Sequence, residues 1–166
     1  MNALSDWLEV EVRRDGNVYR QRFERGEPVS ALEVVDTVGK RNTGTRVRFL
    51  PEAGYFDSPR VSVSRLRHLL RAKAVLCPGL RVTLTVEADP ERNGDWYFED
   101  GLRSYLDEAL AGAETIPAAP FMHSAEGNQE AVEWAVKWVV DGGELVAESY
   151  VNLIPTAQGG THVNGL

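Results

Sequence analysis

The stretch Asp6–Phe23, which reads DWLEVEVRRDGNVYRQRF, decides the fold of the first part of the chain. Apolar and charged residues alternate over Leu8–Val12, and the alternation resumes over Tyr19–Phe23. Between them, Arg14–Asn17 contains a glycine and reads as a tight turn. Period-two patterning on both sides of such a turn predicts a β-hairpin.

Working outward, Gly26–Gly44 has little periodicity and is predicted to be an irregular connection. The alternation of Thr45–Phe49 predicts a further strand that ends at Pro51. Leucines then recur at helical spacing around Leu66–Lys73, and either Ser62 or Ser64 is suited to cap the start of that helix. Pro78 and Gly79 are expected to end it, leaving arginines on its outer face.

The second half of the chain mixes the same two kinds of element. We predict strands at Leu80–Val86, Trp96–Phe98 and Val132–Val140, a helix over Gly101–Ala111 and the start of another near Thr161. Thr115–Pro120 contains two prolines and is interpreted as a linker or an extended edge. A turn over Asp141–Glu144 is expected to return the chain into Leu145–Asn152 as a second hairpin. This pattern predicts an α+β, or mixed α/β, architecture with a boundary near residue 100.

Composition excludes several classes of protein. With 43% hydrophobic and 26% charged residues, the chain has the balance of an ordinary globular protein, and no apolar run approaches the length of a membrane span. The N-terminal residues lack the features of an export signal, so we expect a cytoplasmic location and no membrane partner. Cys77 is the only cysteine, which excludes a disulfide within the chain and a CxxC metal cluster. No phosphate-binding loop or nucleophile elbow is present in the sequence.

Charge is distributed unevenly along the chain. Residues 1–88 contain 15 basic and 11 acidic residues, which gives +4, whereas residues 89–166 contain 3 and 14, which gives −11. A basic first half is compatible with a polyanionic partner, although solvated arginines on strand and helix surfaces explain it more simply.

Four ordered motifs carry a resemblance to a known family. They are NALSDWLEVEV at Asn2–Val12, GTRVRFLP at Gly44–Pro51, YFDSPRVSVSRL at Tyr55–Leu66 and ESYVNLIPTAQGGTHVNGL at Glu148–Leu166. Together they resemble the B subunit of bacterial type IIA topoisomerases and cover nearly the whole chain. YFDSPR, LRAKAVLCPGL and the final IPTAQGGTHVNG look like topoisomerase IV rather than gyrase.

The resemblance implies a fold and a domain organisation. Residues 1–100 would be the second half of a GHKL-type ATPase domain, which is an α/β sandwich. Residues 101–166 would begin a transducer domain with a ribosomal S5 domain 2-like fold. For the full-length protein the resemblance implies ATP and Mg²⁺ as cofactors, DNA and the A subunit of topoisomerase IV as partners, and a homodimer of B subunits that forms when ATP binds.

The same resemblance implies which residues contact nucleotide. Thr45 resembles a threonine that helps to hold the adenine through water, Val47 lies beside it, and Arg14 matches an arginine at the pocket rim. Thr45 and Val47 share a strand face, so a hydroxyl can contact a polar base edge while the valine packs on the ring. The alternatives stay open: Thr45 and Val47 can be core residues, and Arg14 can be a turn arginine without a pocket role.

The family's other catalytic groups are expected to lie outside these 166 residues. The glutamate that activates water, the asparagine that holds Mg²⁺, the aspartate that binds adenine and the glycine-rich lid all precede the NALS motif. The lysine that reaches the γ-phosphate follows residue 166. We therefore predict no catalytic residue, no metal site and no ATP hydrolysis for these residues alone. The alternative is a non-enzymatic interaction module that pairs with intact subunits.

Overall fold

The computed structural model describes residues 1–58, 60–140, 142 and 146–165. Contacts within the chain group it into two compact units, Met1–Val61 and Ser62–Leu166. The predicted boundary near residue 100 falls inside the second of these units, and as a domain boundary it stays a prediction.

The first unit is an antiparallel β-sheet. Its strands are β1 (Ser5–Arg14), β2 (Asn17–Glu24), β3 (Glu27–Pro28), β4 (Glu33–Thr37) and β5 (Gly44–Pro51), with short 3-10 turns at Asn2–Leu4 and Ala53–Tyr55. The order is β3-β2-β1-β5, and β4 pairs with the other end of β2.

The predicted first hairpin is confirmed. β1 and β2 are joined through Asp15 and Gly16, whose φ angles of 54° and 85° form a turn that suits the twist of paired strands. The strand predicted at Thr45–Phe49 is also confirmed as β5. The irregular connection predicted for Gly26–Gly44 is wrong, because it contains β3 and β4. β4 reads EVVDT, and its two adjacent valines break the period-two alternation that predicts a strand.

The second unit contains helices and short antiparallel ribbons. In chain order these are α1 (Val63–Leu76), β6 (Val82–Leu84), β7 (Gly94–Trp96), α2 (Leu102–Ala109), β8 (Thr115–Glu126), β9 (Ala131–Val139), β10 (Tyr150–Val151), β11 (Ile154–Pro155) and α3 (Thr161–Asn164), with a 3-10 turn at Pro90–Arg92. β6 pairs with β7, β8 with β9, and β10 with β11.

A small core holds the helices of this unit together. Ala74 and Val75 from α1 pack against Phe98 and Tyr105, and the two rings meet edge to face at 6.2 Å. Among the described residues, no helix has the length and apolarity needed to cross a membrane.

Most elements of the second half were predicted correctly, but two assignments change and one alternative is resolved. Thr115–Pro120 is an extended edge and not a linker: it opens the 12-residue strand β8, which is the partner of β9. The hairpin predicted between Val132–Val140 and Leu145–Asn152 is wrong for the described residues: β9 pairs with β8, and Tyr150–Val151 pair with Ile154–Pro155. Most of the turn predicted at Asp141–Glu144, and also Leu145, lie outside the described residues. The strand predicted at Trp96–Phe98 begins at Gly94 and ends at Trp96.

Candidate functional site

Thr45 and Val47 lie on β5, directly beside β1. Thr45 is opposite Val12 and Val47 is opposite Val10 in the antiparallel register. Because side chains two residues apart share a strand face, these four side chains form one patch on the sheet. We call this side of the sheet the front face.

The front face offers a hydroxyl group within an apolar surface. Val10 and Val12 are half-buried, Thr45 is exposed, and Val47 keeps 47% of its surface exposed. A threonine hydroxyl can donate and accept hydrogen bonds, while valine methyl groups suit the face of a flat ring. The patch is a wall and not an enclosed cavity.

Arg14 ends β1 next to the hairpin turn. It lies two residues beyond Val12 and therefore also belongs to the front face. Its side chain is 77% exposed, and its Nε lies 3.5 Å from a carboxylate oxygen of Asp15. The structure thus brings Arg14, Thr45 and Val47 onto one face, with Arg14 at its open end, and their roles in binding stay predictions.

The turn beside Arg14 is tied to the segment that leads into β5. The Val38 amide donates to the Gly16 carbonyl at 2.9 Å, and the Asn42 amide donates to the Gly39 carbonyl at 2.8 Å. Gly16 has a left-handed φ that a residue with a Cβ adopts only with strain. The hydrogen bond from Val38 therefore holds the hairpin turn next to the segment that precedes β5.

The opposite side of the sheet, the back face, carries charge that sequence reasoning did not single out. Glu11 is only 9% exposed and accepts from Arg20 Nη2 at 3.0 Å and from Arg13 Nη2 at 3.3 Å. The hydrogen bond from Arg20 is the main reason that the pKa of Glu11 lies below its ordinary value. An open cleft of about 390 Å³ adjoins these side chains and is also lined by Asp36 and Asn42.

A second shallow cleft, of about 360 Å³, lies in the second unit. It is lined by Arg67, His68, Arg71, Trp96 and Glu108. Arg71 bonds Glu108 at 3.0 Å, and the Arg67 guanidinium lies 5.4 Å from the centre of the Trp96 ring. These arginines were predicted to be outer-face residues, yet both are half-buried and hold neighbouring elements.

The sequence model of the DNA gyrase B family matches residues 101–166. The B subunit of DNA topoisomerase 4 from Pseudomonas aeruginosa is 60% identical over all 166 residues, and the chain spans 26% of that relative's length.

Two solved structures align with almost the whole chain. The topoisomerase IV ATP-binding domain of Francisella tularensis, in complex with a small-molecule inhibitor, is 44% identical with a TM-score of 0.79; the alignment covers 99% of this chain and 43% of that one. The 43K ATPase domain of Thermus thermophilus gyrase B, in complex with an aminocoumarin, is 32% identical with a TM-score of 0.85. That alignment covers 98% of this chain and 44% of the gyrase chain.

These ATPase-domain neighbours confirm the fold class predicted from the sequence. The alignment with the Pseudomonas aeruginosa protein covers all 166 residues and so includes every motif that suggested the resemblance. The chain therefore belongs to the family of DNA topoisomerase 4 and gyrase B subunits, and it spans about a quarter of the length of its curated relatives.

Proposed function

We propose that this chain is part of the ATPase subunit of an ATP-dependent type II DNA topoisomerase of the topoisomerase IV kind. In this proposal the whole subunit supports chromosome decatenation and relaxation of supercoils by passing one duplex through another. The observation that carries it is the shared front face of Arg14, Thr45 and Val47 within a chain 60% identical to a topoisomerase 4 B subunit.

The cofactors and partners follow from that assignment. The whole subunit would use ATP and Mg²⁺, act on DNA with the A subunit of topoisomerase IV, form a homodimer of B subunits when ATP binds, and work in the cytoplasm. Residues 1–100 would belong to the ATPase domain and residues 101–166 to the transducer domain.

Three front-face residues have proposed roles in the nucleotide pocket of the whole subunit. The Thr45 hydroxyl would hold the adenine through a water molecule, Val47 would pack against the base, and Arg14 would border the entrance. The exposure of Val47 and Arg14 supports this role, because surfaces that receive a ligand must be open before it binds.

A chimeric enzyme tests the proposal directly. We expect these 166 residues, replacing the matching stretch of the Pseudomonas aeruginosa protein, to support ATP-dependent decatenation together with the A subunit of that organism.

Thr45→Ala in the chimera removes one hydrogen bond to the nucleotide and should raise KM for ATP by about five- to tenfold. Thr83→Ala, at another exposed threonine, is the matched control and should leave KM unchanged. A folded chimera without activity would contradict the assignment.

We further propose that the 166 residues alone do not hydrolyse ATP. Phosphoryl transfer depends on positioning and on stabilising charge around the phosphates. The three front-face residues proposed to contact nucleotide supply one hydroxyl, one apolar side chain and one exposed arginine. Phosphate release in magnesium should equal that of a blank without protein, and calorimetry should detect no micromolar ATP binding. Turnover above that blank with the purified 166-residue chain would overturn this expectation.

A second candidate function is a non-enzymatic interaction module that pairs with intact subunits. The observation that favours it is apolar surface on the ribbon of β8 and β9, where Phe121 is 55% and Trp138 57% exposed. Large exposed apolar patches mark protein-binding surfaces or a tendency to aggregate.

A further inference from the structure

The back face of the first sheet has a repeating charge pattern centred on β1. Glu9 and Glu11 each lie between two arginines, one on either neighbouring strand. The register defines two rows across β2, β1 and β5, namely Arg22–Glu9–Arg48 and Arg20–Glu11–Arg46. Opposite charges that face each other across strands stabilise a pairing, and like charges oppose it.

The side chains make part of this pattern into direct contacts. Glu9 lies 4.0 Å from Arg48, and Glu11 lies 3.0 Å from Arg20 and 3.3 Å from Arg13. Glu11 is almost covered by these neighbours, although it lies on a polar face. Glu9 and Glu11 are therefore each in contact with at least one arginine of the sheet.

A polyanion-binding role fits this face less well. β4 adds Glu33 opposite Arg20 and Asp36 opposite Val18, and Glu24 lies opposite Trp7. Five arginines thus meet five acidic residues on the back face, which leaves no positive excess to attract phosphates. The arrangement is better suited to holding strands together.

The front face alone does not fix how far β5 is shifted along β1. A slip of one residue is excluded, because it would turn every side chain to the other face. If β5 shifts by two residues along β1, every side chain stays on its own face. In one of the two directions, this shift still places a valine beside a valine, because Val47 comes to lie opposite Val12. Apolar packing therefore distinguishes these registers weakly.

The charged rows do distinguish them. A two-residue slip in that direction would put Arg46 opposite Arg13 and leave Glu9 opposite Leu50. A slip in the other direction would put Glu11 opposite Gly44 and Arg48 opposite Trp7. Each shifted register loses one opposite-charge pair, and the first gains a like-charge pair.

We propose that Glu9 and Glu11 are positioning residues that, with Arg46 and Arg48, set the register of β5 against β1 and so place Thr45 and Val47 in the front-face wall. The functional meaning of this placement rests on the proposed nucleotide role of that wall. The register itself is a property of the 166-residue chain without nucleotide.

Nuclear Overhauser contacts between the two strands test the proposal. The native register gives Val10–Val47 and Val12–Thr45 contacts, whereas a shifted one gives Val12–Val47 or Val10–Thr45. Arg46→Glu with Arg48→Glu places like charges in both rows, and we expect the native contacts to weaken or disappear. Arg46→Lys with Arg48→Lys keeps the charges and should preserve them.

If charge reversal unfolds the sheet, variants with neutral side chains test the register instead. With Arg46→Gln and Arg48→Gln, we expect a shifted register in about a tenth or more of the molecules. The control Lys40→Gln with Arg41→Gln removes two cations from the loop before β5 and should retain one native register. Intact native contacts, without a second set, in both the reversed and the neutral variants would overturn the proposal. Because no nucleotide is present, this result is independent of the chimera experiment.

Discussion

Tyr105 connects burial, hydrogen bonding and ionisation at a single residue. Its ring lies in the core of the second unit, and its hydroxyl donates to Glu148 at 2.9 Å. Tyr150 donates to the other oxygen of the same carboxylate at 2.6 Å. Burial, followed by the contact with Glu148, raises the pKa of Tyr105 to about 12. This group of three residues joins α2 to the segment that leads into β10.

We predict that Tyr105→Phe lowers the free energy of unfolding by about 1 kcal/mol below pH 10, because it removes one hydrogen bond. The folded pKa of Tyr105 lies above its ordinary value of 10, so its stabilising contribution is complete below pH 10 and is lost as pH rises toward 12. The difference from wild type, measured by urea unfolding at several pH values, should therefore shrink between pH 10 and 12. Tyr55→Phe, at a residue that is 64% exposed, is the control. A difference that did not change with pH would contradict this account.

For single residues, the sequence predicted which strand face a side chain lies on but not how deeply the side chain is buried or what covers it. Alternation correctly placed Thr45 and Val47 on one face, because that inference needs only the strand period. It did not predict the near burial of Glu11, which depends on arginines from two strands. Nor did it predict that the Trp96 ring covers Gly94, where an added Cβ would clash with the ring.

At the scale of elements, the start of α1 illustrates how structure chooses between two sequence signals. Ser62 and Ser64 were both suited to cap this helix. The Ser62 hydroxyl accepts from the Arg65 amide at 3.4 Å, whereas Ser64 lies within the helix. Ser62 therefore satisfies one of the amide groups that the first turn leaves unpaired.

We predict that Ser62→Ala destabilises the second unit by about 0.5–1 kcal/mol, as expected for the loss of a helix cap. Ser62→Asp should restore or exceed wild-type stability, because aspartate also caps and its charge favours a helix N-terminus. Ser64→Ala serves as the matched control and should change little. Chemical unfolding monitored by circular dichroism measures all three variants. Equal losses for the alanine and aspartate variants at position 62 would refute the capping role.

Elements were predicted best where apolar residues recur in the sequence with a regular period. The first hairpin, β5, α1, α2 and β9 each show a clear apolar repeat, and all five were predicted. The exposed strand β4 has no such repeat. The start of β8 was predicted only as one of two alternatives, because Pro117 and Pro120 suit a linker as well as a strand with an open edge, and the continuation of β8 past Pro120 was not predicted.

At the scale of the whole molecule, apolar surface is concentrated on one side of the β8–β9 ribbon. Phe121 and Trp138 meet edge to face at 5.8 Å, and Ile116 lies opposite Trp138 with 64% of its surface exposed. The other side of the ribbon carries Lys137, whose ammonium group bonds Asp107 of α2 at 2.9 Å. The side that carries Lys137 therefore contacts α2, whereas the side that carries Phe121 and Trp138 is exposed.

We predict that the 166-residue chain self-associates through this open side. Light scattering during size-exclusion chromatography should detect a mass that rises with protein concentration, because apolar area is removed from water on contact. Phe121→Ser with Trp138→Ser should shift the population toward monomer. Glu133→Ser, on the opposite side of β9, is the control and should have no effect. A monomer at all concentrations would count against the interaction-module hypothesis.

The contact between Lys73 and the Leu153 carbonyl joins residues that are 80 positions apart. At roughly 5–20 residues per second, a ribosome needs about 4–16 s to synthesise that interval. A hairpin such as β1–β2 forms in about 1–10 μs. The sheet of the first unit, whose strand pairings all close within 61 residues, can thus assemble during translation while the lysine on α1 still awaits its acceptor.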